Sequence, residues 1–165
     1  MTDIVDKETR SRMMSGIRGK NTKPELMIRR ALHSRGFRYL VHSSNLPGKP
    51  DMVFPKYRAV VFVHGCFWHA HGCKYFKLPG SRTEFWREKL TNNRKRDEVV
   101  LATVQALGWR VLVIWECATR EFRAGESGDA FIETVAQWIT GKAPSAEIGI
   151  DGQLCTLTRF EAAAL

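Results

Sequence analysis

A twelve-residue stretch, residues 62–73, concentrates side chains that can do chemistry. It contains three histidines, two cysteines and two adjacent aromatic residues in the sequence FVHGCFWHAHGC. It overlaps the end of an apolar run, residues 59–63, that is typical of a buried strand. Because a rigid element positions reactive groups at its exit, we expect this stretch to form the functional centre of the chain.

The cysteines and histidines of this stretch indicate a metal site. Cys66, His71 and Cys73 lie within eight residues, and Cys117 follows the last predicted strand. Three thiolates and one imidazole form a ligand set that zinc favours in structural sites. The sequence therefore predicts a bound metal ion that holds the stretch to the rest of the fold.

The spacing leaves two of these ligands open. His69 could replace His71, and Cys155 could replace Cys117. The other interpretation is that the thiols are simply buried and the histidines lie on the surface.

Acidic residues outside the stretch could complete a centre for phosphodiester cleavage. Asp51 follows Pro50 at the start of a predicted strand, where a carboxylate can hold a divalent cation. A helix carrying Glu25 and a neighbouring strand ending at His64 would bring three polar groups to one edge. Phosphodiester cleavage needs such a set, because a metal neutralises the developing charge and a base activates water.

Histidine is the side chain best suited to be that base. His69 or His64 could take the role, because imidazole titrates near neutral pH. Asp97, on a long predicted helix, could orient a histidine through the second ring nitrogen.

Adjacent aromatic residues on a basic chain suggest contact with nucleic-acid bases. Phe67 and Trp68 stand between Cys66 and His69, and Trp86 lies on the long predicted helix. Such rings can stack on bases or insert between them. The alternative is that one or both of Phe67 and Trp68 cap the hydrophobic core.

The positive charge of the chain is unevenly distributed. The net charge is +9; residues 1–40 hold ten Lys or Arg against four Asp or Glu, and residues 41–123 hold fourteen against seven. Residues 124–165 hold two against six. A concentrated positive field suits a polyanion, most often nucleic acid, although a generally basic protein would show the same balance.

The predicted elements form an α/β sandwich with a mixed sheet. Thr22 and Glu25 form a capping box for a helix that Gly36 ends, and Ser81 to Glu84 form another for a helix to about residue 107. The remaining predictions are strands at 37–41, 51–54, 58–64 and 109–115, the second and third as a hairpin, and a helix at about 129–140.

One domain accounts for the chain length of 165 residues. We expect a basic DNA-binding arm at residues 1–20, a nuclease domain at 21–140 and a loosely ordered or peripheral tail at 141–165. Within the arm, Met13 or Met14 either packs on the core or inserts beside bases. The N-terminal residues lack a signal-peptide layout and no apolar run could span a bilayer, so the four cysteines suit an intracellular protein with thiols or metal ligands.

Six segments together resemble the very short patch repair endonucleases, the Vsr family. They are DKETRSRMM at 6–14, LPGKPD at 46–51, HGCFWH at 64–69, RTEFW at 82–86, LGWRVL at 107–112 and WEC at 115–117. The segment at 64–69 is highly specific, and the others fall at compatible distances. The resemblance covers about residues 6–140.

The resemblance implies a fold similar to the PD-(D/E)xK nucleases, with a structural zinc site. It implies a Mg²⁺-dependent endonuclease that nicks one strand 5′ of the thymine in T·G mismatches, which arise when 5-methylcytosine deaminates. The implied partners are mismatched duplex DNA, a cytosine-5 DNA methyltransferase, a repair polymerase and mismatch-repair factors. The implied protein is a monomer in a bacterial cytoplasm, associated with the nucleoid.

The family also implies a role for each matching residue. Asp51 and the backbone carbonyl of Val63 bind Mg²⁺, Glu25 orders a metal-bound water, His69 is the general base supported by Asp97, and His64 assists at the phosphate. Cys66, His71, Cys73 and Cys117 hold zinc. Phe67, Trp68 and Trp86 insert into the duplex from one groove and Met14 from the other, with Lys89 and Asn93 near the mismatch.

Two departures from the expected patterns stand out. Family members carry Thr where this chain has Val63, so a role for the backbone carbonyl is kept and one for a hydroxyl is lost. The Glu-x-Lys motif of the wider nuclease superfamily is missing, and histidines would do work that a lysine often does. Two other functions stay open: a zinc-containing DNA-binding protein without catalysis, and a related restriction-type nuclease acting on matched DNA.

Overall fold

The computed structural model describes residues 6–17, 19–123 and 125–157 as a five-stranded mixed sheet flanked by helices. This confirms the predicted mixed α/β class. In chain order the elements are α1 Lys7–Ser15, α2 Lys23–Ser34, β1 Met52–Phe54, a 3-10 turn Pro55–Tyr57, β2 Ala59–His64, α3 Thr83–Ala106, β3 Arg110–Trp115, α4 Glu116–Glu121, α5 Gly125–Thr140, β4 Ala146–Ile148 and β5 Leu154–Thr156. In these described ranges, no helix has the length and apolar character to cross a membrane.

Strands β2 and β3 form the centre of the sheet. They run parallel, with Ala59 opposite Arg110 at one end and His64 opposite Trp115 at the other. Strand β1 forms the predicted antiparallel hairpin with β2, and β4 adds parallel to β3. Because β2 and β3 end level with each other, the segments that follow them start side by side at one edge of the sheet.

Both faces of the sheet are covered, which explains why its central strands are apolar throughout. Leu112 and Ile114 of β3 face a core shared with α2 and α5. Val111, Val113 and Trp115 alternate with them and belong to a second core, shared with α3. The alternation of strand side chains thus joins one strand to two helical layers.

Helix α2 begins and ends as the sequence predicted. The Thr22 hydroxyl accepts a hydrogen bond from the Glu25 N–H at 3.4 Å, and the Glu25 carboxylate accepts one from the Thr22 hydroxyl at 3.0 Å. Gly36 follows the helix with a φ of 88°, a left-handed conformation that glycine adopts without strain. Ile28 and Leu32 bury the inner face of the helix against the sheet.

The predicted capping box of the long helix is wrong. Helix α3 begins at Thr83, and the residue before it, Arg82, has a φ of 52° and makes no capping hydrogen bond with its side chain. The Thr83 hydroxyl instead donates to the carbonyl oxygens of Pro79 and Gly80. Ser81 lies one residue too far upstream to cap this helix.

The strand predicted at residues 37–41 does not form. Only Leu40 pairs with the sheet, through two backbone hydrogen bonds of 2.9 and 2.8 Å with Val53. The alternating aromatic residues have another explanation, because the rings of Phe37 and Tyr39 pack on Phe54. Side-chain packing alone therefore produced the strand-like pattern.

The C-terminal part of the chain contributes more structure than predicted. Residues 146–148 and 154–156 add two strands to the sheet, and Ala146 and Ile148 are buried in the core. The expectation that residues 141–165 are loosely ordered or peripheral is wrong for these strands; residues 158–165 lie outside the described part of the chain. Strands of three residues are too short to show a periodic pattern in the sequence.

Two features of the helices were also missed. Helix α4 follows β3 without a loop, so Cys117 lies in its first turn rather than in a connecting segment. Helix α5 begins at Gly125, four residues before the predicted start.

Helix α1 packs on neither core. None of the residues Lys7–Ser15 is buried, although all of them are described. The exposed fractions of Met13 and Met14 are 62% and 40%, so the expectation that one of them packs on the core is wrong.

The burial of Ile148 predicts that the C-terminal strands support the fold. Ile148→Ala should lower the free energy of unfolding by about 2–5 kcal/mol, because it leaves a cavity in a closed core. Val99→Ala, at a position that is 66% exposed on α3, should change it by about 0.5 kcal/mol. Urea unfolding followed by tryptophan fluorescence measures both free energies of unfolding. If both variants lost only about 0.5 kcal/mol, β4 would not be needed for the stability of the fold.

Candidate active site and metal cluster

A cleft of about 1120 Å³ opens at the edge of the sheet where β2 ends. All five residues expected to act in catalysis line it: Glu25 from α2, Asp51 before β1, His64 at the end of β2, His69 from the following loop and Asp97 from α3. Val63 lines the same cleft. The fold thus brings these residues together from segments that lie far apart in the sequence.

Asp51 lies directly before β1, and its side chain is fixed by the backbone of β2. Its Oδ2 accepts a hydrogen bond of 2.7 Å from the Val63 N–H. Burial raises the pKa of Asp51 to about 7; the Val63 hydrogen bond and the charges of Arg29 and His69 lower it, and the neighbouring Glu25 carboxylate raises it. The site therefore holds a carboxylate whose ionised form would be stabilised by a cation.

The Glu25 carboxylate is 3% exposed and has hydrogen-bond partners on both oxygens. Its Oε1 accepts a hydrogen bond of 3.0 Å from the Thr22 hydroxyl, and its Oε2 accepts one of 2.9 Å from the Asn21 N–H. The Arg29 guanidinium donates to the same Oε2 at 3.0 Å and forms an ion pair one helical turn away.

Arg29 is a residue of this site that the sequence reasoning missed. It is only 7% exposed, and its Nη2 also lies 3.3 Å from the carbonyl oxygen of Asp51. The signal was available, because Glu25, Ile28, Arg29 and Leu32 fall on the buried face of α2. An ion pair at i and i+4 on the inner face of a helix indicates a polar network beneath it.

Two histidines stack at the end of β2. The ring centroids of His64 and His69 lie 3.9 Å apart, with the ring planes 3° from parallel. Burial lowers the pKa of His64 well below its usual value, and the nearby His69 lowers it further. His64 Nδ1 has no hydrogen-bond partner among the described residues.

Asp97 fixes the second histidine. Its Oδ2 lies 2.5 Å from His69 Nδ1, and the three side chains of His64, His69 and Asp97 offer ligand or proton-transfer atoms within 4.8 Å of one another. When Nδ1–H donates to the carboxylate, Nε2 of His69 is left free to accept a proton. A histidine held in this way can accept a proton at Nε2 while the carboxylate fixes the ring.

A second cluster forms on the other side of the same loop. One ligand atom from each of Cys66, His71, Cys73 and Cys117 lies within 4.8 Å of the others, so the set could hold a metal ion. His71 Nδ1 is 3.5 Å from the Cys66 sulfur and 3.6 Å from the Cys117 sulfur. His71 therefore lies against the buried thiols, and not on the surface as the other interpretation held.

The alternative ligands are placed elsewhere. His69 is hydrogen-bonded to Asp97, and Cys155 is exposed on β5. The arrangement thus selects His71 and Cys117, which the sequence alone left open.

Hydrogen bonds within the cluster favour one thiolate. The Cys117 thiol and the His71 ring lower the pKa of Cys66 to about 5, and the Cys117 N–H also points at its sulfur at 3.3 Å. The same hydrogen bond raises the pKa of Cys117, and burial raises the pKa of Cys73. Removing these thiol protons is a requirement for metal binding.

The backbone between the two clusters explains why the side chains of His69 and His71 point in different directions. Ala70 separates His69 from His71 and has a φ of 48°, in the left-handed region. The His71 N–H donates to the Cys66 carbonyl oxygen at 2.9 Å and closes a tight loop. The His71 ring then stacks on Trp115 at the end of β3, with centroids 4.1 Å apart.

Five of the six residues expected to contact DNA form one aromatic patch beside the cleft. The rings of Phe67, Trp68 and Trp86 lie 5.1–6.1 Å apart. The ammonium group of Lys89 lies over Trp68 and Trp86 at 5.5 and 5.6 Å. The Asn93 side chain donates to the Trp68 carbonyl oxygen at 3.0 Å.

Neither Phe67 nor Trp68 caps a core. Both rings are half-buried and lie outside the two core clusters. The structure does not bring Met14 to this patch or to the lining of the cleft, because Met14 lies on the exposed helix α1. Lys20, Lys23, Lys49 and Arg96 line the cleft and give it a positive rim.

Comparison with known proteins identifies related enzymes. A family model described as DNA mismatch endonuclease Vsr matches residues 2–75. The DNA mismatch endonuclease Vsr of Escherichia coli (strain K12) is 44% identical over 152 residues, which are 92% of this chain and 97% of that protein. The type II nicking enzyme V.XorIIP of Xanthomonas oryzae pv. oryzae is 48% identical over 127 residues, or 77% and 93% of the two chains. The type II nicking enzyme V.NmeAIP of Neisseria meningitidis serogroup A is 45% identical over 117 residues, or 71% and 84%.

These relatives agree with the chemistry of the cleft. All three are named as endonucleases or nicking enzymes, and these names support a DNA endonuclease. With 44% identity over almost its whole length, this chain belongs to the Vsr family of DNA mismatch endonucleases.

Proposed function

We propose that this protein nicks one strand of duplex DNA on the 5′ side of the thymine in a T·G mismatch, using Mg²⁺ and His69 as the general base. The observation that carries the proposal is the His69–Asp97 pair, stacked on His64 in the cleft that also contains Asp51. A base, a neutral second imidazole and an acidic cation site are the parts that hydrolysis of a phosphodiester requires.

The histidines divide the proton chemistry between them. His69 takes the proton of the attacking water at Nε2, and Asp97 stabilises the imidazolium that results through Nδ1. His64 stays neutral because it is buried and lies against His69, so its ring assists at the phosphate without competing for that proton.

The acidic side of the cleft suits a divalent cation. Asp51 is a largely buried carboxylate beside a second carboxylate, Glu25, and burial raises the pKa of Asp51 to about 7. Asp51 and the Val63 carbonyl would hold Mg²⁺, and Glu25 would act through an ordered water. When bound, Mg²⁺ neutralises charge that develops on the scissile phosphate.

The cysteine cluster suits zinc. With bonds of about 2.3 Å to sulfur and 2.0 Å to nitrogen, a tetrahedral site places these atoms about 3.5 Å apart. The 3.5 and 3.6 Å separations between His71 Nδ1 and the sulfurs of Cys66 and Cys117 match that edge. Zinc there would be structural and would hold the loop that carries His69.

The aromatic patch supplies the mismatch preference. Phe67, Trp68 and Trp86 would insert into the stack from one groove, and Met14 from the other, because mispaired bases unstack at lower cost. Lys89 and Asn93 border the patch and would lie near the mispaired bases. The exposed arm that contains α1 would contact the phosphate backbone of the duplex.

The wider setting follows from the substrate. T·G pairs formed by deamination of 5-methylcytosine require a cytosine-5 DNA methyltransferase upstream. A repair polymerase and mismatch-repair factors would act on the nicked product. We propose a core at residues 21–140 of PD-(D/E)xK type, acting as a monomer, with Val63 serving through its backbone.

The proposed substrate predicts strand-resolved nicking. With Mg²⁺, the protein should nick only the thymine strand of a T·G duplex and leave the matched C·G duplex intact. Labelling each strand separately and mapping the 5′ ends measures this directly. Equal cleavage of matched duplex would favour a restriction-type nuclease instead.

The role of His69 predicts a specific loss. His69→Ala should reduce the rate of nicking by about 10²–10⁴-fold at saturating DNA, because the base is removed, while duplex affinity stays close to that of the unaltered protein. His33→Ala, an exposed histidine on α2, is the matched control and should nick normally. Near-normal turnover by the His69 variant would remove it from the mechanism.

The zinc assignment predicts coupled losses of metal and stability. Cys73→Ala should contain less than one zinc per chain and should melt at a lower temperature, because metal binding contributes folding free energy. Cys155→Ala, at the exposed cysteine, is the matched control and should keep both properties. Unchanged zinc content and melting temperature in the Cys73 variant would rule out the site.

A further inference from the structure

We propose that Arg29 is a positioning residue of the nicking centre. Its buried guanidinium keeps the Glu25 carboxylate turned away from the cation, so that Glu25 cannot coordinate the divalent cation directly. Asp51 is then the carboxylate of the described residues that coordinates it directly. The inference rests on the proposed function, because it assigns a cation to the cleft that contains Asp51.

Hydrogen bonds to both oxygens hold the Glu25 carboxylate in place. Its two oxygens accept from the Thr22 hydroxyl, the Asn21 N–H and Arg29 Nη2, at 2.9–3.0 Å. Thr22 and Asn21 alone would leave an ionised carboxylate free to turn toward a cation in the cleft. The ion pair with Arg29 neutralises the Glu25 carboxylate and so keeps it from turning toward the cation.

Arg29 also fixes the segment that carries Asp51. Its Nη2 lies 3.3 Å from the Asp51 carbonyl oxygen, and its Nη1 donates to the Asn21 side chain at 2.7 Å. The same Nη2 lies 3.2 Å from His42 Nε2, on the loop before β1. One side chain therefore joins the start of α2, this loop and the start of β1.

The burial of Arg29 argues against a purely structural role. Its side chain is 9% exposed, and its Nε has no hydrogen-bond partner among the described residues. An apolar residue on the inner face of α2 would pack there without the cost of burying a charge. The guanidinium is instead placed between an acidic side chain and the backbone of a second acidic residue, where a fixed positive charge sets the local field.

A positive charge at this point has opposite effects on binding and on turnover. It weakens the attraction of the cleft for a divalent cation, since like charges repel. It also keeps Glu25 and Asp51 in the geometry that nicking needs. Loss of Arg29 should therefore tighten cation binding and slow nicking, whereas simple destabilisation would weaken both.

The test combines Mn²⁺ binding with nicking. Zinc-loaded Arg29→Met protein should bind Mn²⁺ about three- to tenfold more tightly, measured by electron paramagnetic resonance without DNA. Its rate of nicking on saturating T·G duplex should fall about 10- to 100-fold. Arg30→Met, at the adjacent exposed arginine, should change neither value, and Asp51→Asn should abolish the Mn²⁺ site.

Two further variants secure the result. Arg29→Lys keeps the charge without the planar fork, so its Mn²⁺ affinity should stay within about twofold while nicking slows. In a Glu25→Gln background, replacing Arg29 by Met should slow nicking by a smaller factor than it does in the unaltered protein, because part of the effect of Arg29 is exerted through Glu25. If Arg29→Met does not fold, Arg29→Lys carries the test, and nicking by Arg29→Lys at the rate of the unaltered protein would overturn the role of Arg29.

The outcomes separate this inference from the proposed function. Weaker or unchanged Mn²⁺ binding by Arg29→Met, or a loss of nicking in the Glu25→Gln background as large as in the unaltered protein, would overturn the role of Arg29. The absence of T·G nicking by the unaltered protein would overturn the proposed substrate, and the Mn²⁺ measurements would still decide the inference.

Discussion

The parallel pairing of β2 with β3 is the constraint on which the functional end of this molecule depends. The pairing ends with His64 opposite Trp115, so the loop after β2 and the helix after β3 begin at the same edge. Cys117, in the first turn of α4, can therefore meet Cys66 from the loop. A shift of this register by one residue would turn every side chain of one strand to the other face.

The positions of His69 and of the cysteine cluster are coupled through the loop that follows β2. The left-handed Ala70 turns His69 toward Asp97 and His71 toward the cysteines, and His71 is held between its sulfur neighbours and Trp115. Whatever fixes the cysteine cluster also fixes the position of His69. Nucleases need this kind of support, because an unsupported loop seldom keeps a reacting group within the tolerance that catalysis requires.

The sequence predicted those parts of the site that residue type and local spacing determine. The Cys and His set, the acid after Pro50 and the helix opened by Thr22 and Glu25 fall in this class, and the structure brings them together. The choice of His71 over His69 as the cluster histidine depends on one left-handed residue, which the sequence does not reveal. Arg29 and the β4–β5 strands depend on long-range packing, and the 37–41 segment shows that packing can imitate a strand pattern.

The pair of His69 and Asp97 is the centre of this account, and a double-mutant cycle on nicking rates tests it most directly. Rates on a T·G duplex at saturating Mg²⁺ would be measured for His69→Ala, Asp97→Asn and the double variant. If Asp97 acts by orienting His69, the double variant should nick no more slowly than His69→Ala, because the base is already gone. Losses that multiply would contradict the account, since they would show that the two residues act independently.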